Sequence, residues 1–302
     1  MKTLLKNVSV LSYNNKFEIL KNANFLRYNN KFEILQNSNT CNVDNVLQND
    51  YVIMPKLFNF NDYLNNATFN LNNFSVESLN KQLTMFKNNN IIPFMFIDNI
   101  IETEPYLDQI VMFSKKNNIK IAVCAGKTLN EMGECDKLFG LSPINLLEEY
   151  GVLDLEPIIV GATNLDKEDF EKLNYYNASI CLTLTEDLLN GNGIPPIVTI
   201  IKNNINVFFS SEHNDIFKEM FLCYSLPKGM LNNSEVVGLT DVLKMALING
   251  YVALNKQNLF NNLDSFMVCR ADNKNLFESL VLFGNPDKIV KICYWNLLLN
   301  VI

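Results

Sequence analysis

The chain has 302 residues, of which 48% are hydrophobic, and a formal net charge of −7. A chain of this length and apolar content buries one large core and has room for a small appendage. The negative charge argues against nucleic acid or an anionic membrane as a partner, because both bind basic surfaces. The first residues form no sustained apolar segment, and no later run reaches about 18 apolar residues, so we expect neither a signal peptide nor a membrane span.

Seven cysteines are scattered along the chain without any Cys-x-x-Cys pair, and several of them stand inside apolar runs. This pattern favours buried free thiols in a reducing compartment. We therefore expect a cytoplasmic protein.

The N-terminal region contains an internal repeat, in which Tyr13–Leu20 recurs residue for residue as Tyr28–Leu35. Each copy places an Asn-Asn turn before an alternating strand, which predicts two hairpins in a small antiparallel sheet. Both chain ends, 1–50 and 262–302, are predicted to form one small β-sandwich domain. The strands expected near the C-terminus are Phe266–Arg270, Leu280–Phe283 and Val290–Leu299.

From residue 75 onward, helical segments alternate with short apolar strands. The first helix, Ser75–Asn88, has Leu79 and Leu83 at helical spacing and Ser75 as its N-cap. Apolar strands separated by helices are typical of a parallel sheet buried on both faces, and this pattern favours an α/β fold with a TIM-type β/α barrel over residues 51–261. About six barrel strands can be found rather than eight, so the barrel is predicted to be truncated. The clearest strands are Ile91–Ile97, Ile119–Ala125, Pro157–Ala162, Ser179–Thr185 and Ile205–Ser211.

Four stretches of the chain resemble the deaminase and chlorohydrolase branch of the amidohydrolase superfamily. Gly191–Ile197 is similar to the family's segment before the last barrel strand, and Asp241–Leu254 is similar to its signature helix. Lys167–Leu173 matches the helix after the sixth strand, and Tyr51–Asn59 resembles the first barrel strand. The resemblance implies a TIM-type barrel whose active site holds a divalent metal through several histidines.

The chain departs from this family at the positions that bind the metal, because its only histidine is His213. The resemblance places Asn61 and Tyr63 at the His-x-His motif of the first strand. It places Cys124 at the metal-binding histidine of the fifth strand and Lys127 at the catalytic glutamate that follows.

The later barrel strands depart in the same way. The sixth-strand histidine falls at Gly161 and a second histidine at Asn164, while Glu186 lies in the segment that follows the seventh strand. The Thr-Asp pair of the eighth strand becomes Ser211-Glu212. A catalytic zinc needs three or four converging ligands, and here one or two survive.

We therefore predict that the chain binds no metal or other cofactor and is not catalytic, but acts as a ligand-binding or protein-interaction module. The candidate pocket at the former active site consists of Asn61, Tyr63, Cys124, Lys127, Asn164, Glu186, Glu212 and His213.

Two alternatives stay open. One is a metal-poor hydrolase of carbon–nitrogen bonds in a small molecule, using Glu212, Lys127 and either Cys124 or His213. The other is a subunit that stabilises an active paralogue. Acidic side chains near these positions also offer oxygen ligands for a hard cation; they are Asp62, Asp98, Glu186, Asp187 and Glu212.

The predicted barrel has too few strands to close, and open sheet edges are normally covered. The segment 64–118 is short for the strand–helix units that it replaces and is rich in Phe, Ile and Met. We expect a homodimer that buries part of this segment. Closure by the chain's own loops, in a monomer, is the alternative. A small-molecule ligand is the other expected partner.

Overall fold

The computed structural model describes residues 2–13, 16–28, 31–34, 45–48, 51–72, 74–89, 91, 93–255, 265–271 and 275–294. The strands in these ranges are β1 Lys2–Tyr13, β2 Phe17–Tyr28, β3 Lys31–Ile34, β4 Asn45–Gln48, β5 Tyr51–Pro55, β6 Phe94–Ile97, β7 Lys120–Ala125, β8 Ile158–Gly161, β9 Ser179–Leu182, β10 Asn206–Phe209, β11 Ser265–Arg270 and β12 Ile289–Tyr294.

The helices connect these strands and cover the second sheet. They are α1 Asn61–Ala67, α2 Val76–Asn88, α3 Ile100–Thr103, α4 Leu107–Asn117, α5 Leu129–Phe139, α6 Pro143–Glu149, α7 Lys167–Tyr175, α8 Leu184–Leu189, α9 Ile197–Lys202, α10 Ile216–Leu231, α11 Leu239–Lys244, α12 Gly250–Ala253 and α13 Leu276–Phe283, with a π-helical turn, Met245–Asn249, between α11 and α12. None of these helices is long and apolar enough to cross a bilayer.

Strands from both chain ends form one mixed sheet in the order β12-β11-β5-β1-β2-β3, with β4 also paired to β1. The two predicted hairpins are confirmed, because β2 is antiparallel to both β1 and β3. Their turn residues, 14–15 and 29–30, lie outside the described residues, as do positions 295–299 of the expected C-terminal strand.

Two strand predictions are wrong. Tyr51–Pro55 was expected in the barrel, but it pairs parallel to β1 and antiparallel to β11 in the mixed sheet. Pro55 has no N–H to extend a ladder, and the chain leaves this sheet after it. Leu280–Phe283 was expected as a strand but ends helix α13, because a continuous apolar run fits a buried helix equally well.

The second sheet is parallel throughout, in the order β10-β9-β8-β7-β6, as the alternating sequence pattern predicts. One segment of the same chain, 57–69, is bonded to both of its edges. The Phe60 N–H donates to the Phe209 carbonyl of β10 at 3.3 Å, and the Phe69 N–H donates to the Phe94 carbonyl of β6 at 3.1 Å.

Asparagines end several of the helices that lead into the parallel strands. Asn118, Asn177 and Asn204 have φ values of 53°, 52° and 56°, and each stands one or two residues before a strand. Asparagine tolerates this left-handed conformation better than most residues. These three asparagines thus serve as turn residues between a helix and the following strand.

Aromatic rings fill the inner face of the parallel sheet, which we define by Phe94, Cys124, Val160, Cys181 and Phe208. The Phe60 ring meets the rings of both Phe94 and Phe208 edge to face at centroid distances of 5.8 and 5.6 Å. Packing is tight here, since a Cβ built on Gly250 would lie 2.1 Å from Cδ1 of Phe58. The cysteines found free and buried are Cys124, Cys135, Cys181, Cys223 and Cys269.

Candidate active site

A cavity of about 300 Å³ lies at the carboxyl ends of β6 and β7. Its lining includes Asp98 after β6, Cys124 near the end of β7, and Lys127 just beyond it. In β/α folds the catalytic groups lie at this end of the strands, on the loops that follow them. This cavity is therefore the candidate active site.

Cys124 acts as a hydrogen-bond donor in this cavity. Its Sγ lies 3.6 Å from Oδ1 of Asp98. Burial raises the pKa of the Cys124 thiol to about 12, and the Asp98 carboxylate adds to the increase. A thiol that stays protonated at neutral pH is a poor nucleophile, so its contribution is to orient the carboxylate.

Glu131 holds the turn that carries Lys127. Its Oε1 accepts a hydrogen bond from the Gly126 N–H and its Oε2 from the Lys127 N–H, both at 2.9 Å. The Thr128 hydroxyl accepts from the Glu131 N–H at 3.0 Å, which completes a capping box at the start of α5. Burial raises the pKa of Glu131. Sequence reasoning did not include Glu131 among the site residues, although the Thr-x-x-Glu spacing signals this role.

Lys127 is held in place by two residues at the end of the neighbouring strand β8, Gly161 and the nearby Asn164. The Asn164 side chain donates to the Lys127 carbonyl at 2.9 Å, and its N–H donates to the Gly126 carbonyl at 2.8 Å. Gly161 has a φ of +104°, and a Cβ at that position would lie 2.9 Å from the Cβ of Lys127. The lysine stem therefore occupies the space beside Gly161.

Two further carboxylates, those of Glu186 and Glu219, lie where α8 packs against α10. The Glu212 N–H donates to Oε1 of Glu186 at 3.0 Å, whereas Oε2 of Glu186 is buried without a hydrogen-bond partner among the described residues. Glu219, which is 0% exposed, accepts from the Thr185 N–H at 3.2 Å. Burial raises the pKa of Glu219 to about 7, and the neighbouring Glu186 carboxylate adds to the increase. Sequence reasoning missed Glu219, because its burial depends on the packing of α8 against α10.

The structure brings part of the predicted pocket together around the buried Cys181 thiol. Burial raises the pKa of that thiol, and Cys124, Glu219 and Glu186 raise it further while Lys127 lowers it. These four groups therefore influence the protonation of one buried thiol.

Of the other predicted pocket residues, Asn164 contacts Lys127 and the backbone of Glu212 contacts Glu186, while the remaining side chains lie apart. Glu212 and His213 are exposed after β10, and Asn61 begins α1 half-buried. The Tyr63 ring stacks on Phe58 at a centroid distance of 5.2 Å, and its pKa is raised, mainly by burial. Tyr63 is thus part of the aromatic packing of the inner face rather than of the cavity.

The side chains at these strand ends do not fit a metal ion. Gly161 offers no side-chain donor, and Asp62 is paired with Lys56 at 3.0 Å. Within the described ranges, no three His, Cys, Asp or Glu side chains come together closely enough to hold a metal.

No family model matches this chain. Among curated relatives, it is 26% identical over 199 residues to a 5-methylthioadenosine/S-adenosylhomocysteine deaminase of Caldicellulosiruptor saccharolyticus, covering 61% of this chain and 46% of the relative. It is 24% identical over 158 residues to a 5'-deoxyadenosine deaminase of Methanothermobacter thermautotrophicus, covering 50% and 37%. The chain thus spans about half the length of these relatives.

Solved structures share the fold over nearly the whole chain. An adenosine deaminase from Xanthomonas campestris with bound zinc aligns with a TM-score of 0.67 and 11% identity, over 97% of this chain and 91% of that one. The guanine deaminase of E. coli aligns with a TM-score of 0.68 and 9% identity, over 97% and 98%. At this level of identity the likeness concerns the fold alone.

Together these findings confirm the resemblance to the amidohydrolase superfamily and its α/β barrel-type fold. They contradict the prediction of a non-catalytic module, which is therefore wrong, because the relatives are named as deaminases. They favour instead the alternative of a hydrolase that acts on carbon–nitrogen bonds.

Proposed function

We propose that this chain hydrolyses a carbon–nitrogen bond of a small molecule, with the substrate bound in the 300 Å³ cavity at the ends of β6 and β7. The observation that carries this proposal is that Asp98 and Lys127 line the same cavity, the Asp98 carboxylate held by the Cys124 thiol and the Lys127 backbone held by Glu131. The names of the relatives favour removal of an amino group from an adenosine-like ring as the specific reaction.

The chemistry needs a base and a group that stabilises negative charge. Asp98 is exposed and is oriented by the Cys124 thiol. It takes a proton from a water molecule while the oxygen of that water attacks the ring carbon that carries the amino group. The Lys127 ammonium stabilises the charge that develops on the ring. The carbon–nitrogen bond then breaks, the proton passes from Asp98 to the departing nitrogen, and ammonia leaves. Glu131 and Asn164 position Lys127 without touching the substrate.

The reaction is tested by ammonia release from adenosine, 5'-deoxyadenosine and 5'-methylthioadenosine, measured before and after dialysis against a chelator. We expect release that survives dialysis and that falls about a hundredfold or more in kcat for Asp98→Asn and for Lys127→Met. The matched control is Lys81→Met, since Lys81 is 74% exposed on α2 and pairs with Glu77 away from the cavity. Absence of release from all three compounds, or unchanged kcat in Asp98→Asn, refutes the proposal.

We also propose the finer architecture expected from the sequence. The barrel, expected to have about six strands, is reduced to the five parallel strands β6 to β10, with the segment 57–69 standing in for those that are missing. The predicted division into two domains is kept, one formed by 1–50 with 262–302 and the other by 51–261, except that β5 is assigned to the mixed sheet.

A homodimer through part of 64–118 also stays a proposal. Light scattering at micromolar concentration that gives the 34.6 kDa mass of one chain would contradict it.

A further inference from the structure

A larger cavity lies at the opposite end of the parallel sheet, where β6 and β7 begin. Its volume is about 490 Å³, a size typical of small-molecule sites. Lys120, the first residue of β7, lines this cavity and also an adjoining one of about 240 Å³. The candidate active site, at the carboxyl ends of the same strands, uses none of these groups.

The charge of this cavity is opposite to that of the whole chain. Three lysines line it, Lys87, Lys115 and Lys120, against two carboxylates, Asp154 and Glu156. Three positive minus two negative charges leave +1 in a chain whose net charge is −7. Lys87 and Lys115 stand in the last turns of α2 and α4, where lysines favourably oppose the helix dipole. Lys120 lies in a strand, so that explanation does not apply to it.

Lys120 is a partly buried and incompletely compensated cation. Its side chain is 17% exposed, and its Nζ lies 3.8 Å from Oε2 of Glu156, beyond hydrogen-bond distance. Burial lowers the pKa of Lys120, and Glu156 offsets only part of this effect. An ammonium removed from water in this way gains from an additional oxygen acceptor.

A second polar group in the same wall lacks a partner. Ser114, on α4, is 1% exposed, and its hydroxyl has no hydrogen-bond partner within the described part of the chain. Buried hydroxyls are normally paired. The Ser114 oxygen itself is covered by the protein, so a ligand oxygen in the cavity meets the Lys120 ammonium instead. The remaining wall combines apolar side chains, among them Leu83, Phe94 and Leu254, with Asn117, Asn118 and Asn255.

We propose that this cavity binds a small organic anion, a carboxylate or phosphate carried on an apolar body, with the Lys120 ammonium as its principal partner. The inference goes beyond the proposed hydrolysis, because it concerns the other end of the sheet and does not depend on catalysis.

Isothermal titration of the full chain tests this with three probes that share one apolar body: 1-naphthoate, 1-naphthyl phosphate and the neutral 1-naphthalenemethanol. We expect at least one of the two anions to bind at a single saturable site, and the neutral compound to bind at least about tenfold more weakly. Lys120→Met should weaken binding of that anion by about tenfold or more. Lys81→Met, on the same helix as Lys87 but outside the cavity lining, should leave it unchanged.

The relative affinity of the two anions tells a carboxylate ligand from a phosphate ligand. The proposal is overturned if neither anion binds, if the neutral compound binds equally well, or if Lys120→Met binds like the wild type. If circular dichroism shows that Lys120→Met is unfolded, the double variant of the exposed Lys87 and Lys115, both to Met, decides instead. Its affinity should fall several-fold at low salt, and unchanged affinity overturns the proposal.

Discussion

Glu219 makes the free energy of unfolding depend on pH in a direction that is unusual for a carboxylate. Its pKa is about 7 in the folded chain, against 4.5 for an ordinary glutamate. The folded state therefore binds this proton more tightly than the unfolded state, so the contribution of Glu219 to stability is fully present below pH 4.5 and is lost as the pH rises to 7. The difference, 7 minus 4.5, corresponds to at most about 3 kcal/mol.

Glu219→Gln removes this dependence with little change in shape. Glutamine is neutral at every pH and keeps an oxygen that can accept the Thr185 N–H. We expect the variant to be more stable than the wild type at pH 8, by up to about 3 kcal/mol, and close to it at pH 5. Urea denaturation followed by circular dichroism at pH 5, 6, 7 and 8 measures this. The control is Glu171→Gln, because Glu171 is 56% exposed on α7 and pairs with Lys167.

Other groups also titrate in this range, so the informative quantity is the difference between the two variants. Glu171→Gln should follow the pH dependence of the wild type, whereas Glu219→Gln should follow a flatter line. Parallel lines for all three proteins would show that Glu219 is hydrated and ionised as an ordinary carboxylate, and would refute the reasoning from burial.

Three further outcomes are expected. Gly250→Ala should lower the free energy of unfolding by about 1–3 kcal/mol, because the added Cβ collides with the Phe58 ring. A smaller loss in urea denaturation would mean that the ring moves aside. Cys124 should react with a disulfide reagent only after denaturation, since its pKa is about 12, and rapid labelling of the native thiol, located by mass spectrometry, would contradict this. Glu131→Ala should cost about 1–2 kcal/mol and lower kcat by releasing the turn before α5, while Asp136→Ala, exposed on the same helix and outside the cavity lining, should do neither.

The parallel sheet was predictable because its signals are local. Each strand is a short apolar run, and the helices that separate them carry caps such as Ser75 that can be read from the sequence. The assignment of Tyr51–Pro55 failed because the partner of a strand is a non-local property. This strand has the composition of a buried strand in either sheet, and only its pairing with β1 and β11 decides between them.

The site was predictable only in part for the same reason. Cys124 and Lys127 follow a recognisable strand, so their place at its carboxyl end could be inferred. Tyr63 was assigned to the pocket by its position relative to a motif, but a ring so close to Phe58 gains more from apolar packing than from solvent. Glu219 lies in the first turns of a helix, where acidic residues are common, and nothing in its neighbours along the chain indicates complete burial.

Counting histidines led to the wrong expectation about function because it equated the loss of metal ligands at the inner face of the sheet with the loss of the reaction. There the positions that face inward are occupied by Phe58, Phe60, Phe94 and Phe208, whose edge-to-face packing excludes water. Polar groups that can reach a substrate lie instead at the rim, where Asp98 and Lys127 line one cavity. A carboxylate and an ammonium can divide the work of base and charge stabiliser without a metal, at the cost of a weaker nucleophile. Slow hydrolysis that is insensitive to chelators is therefore the expected behaviour of this arrangement.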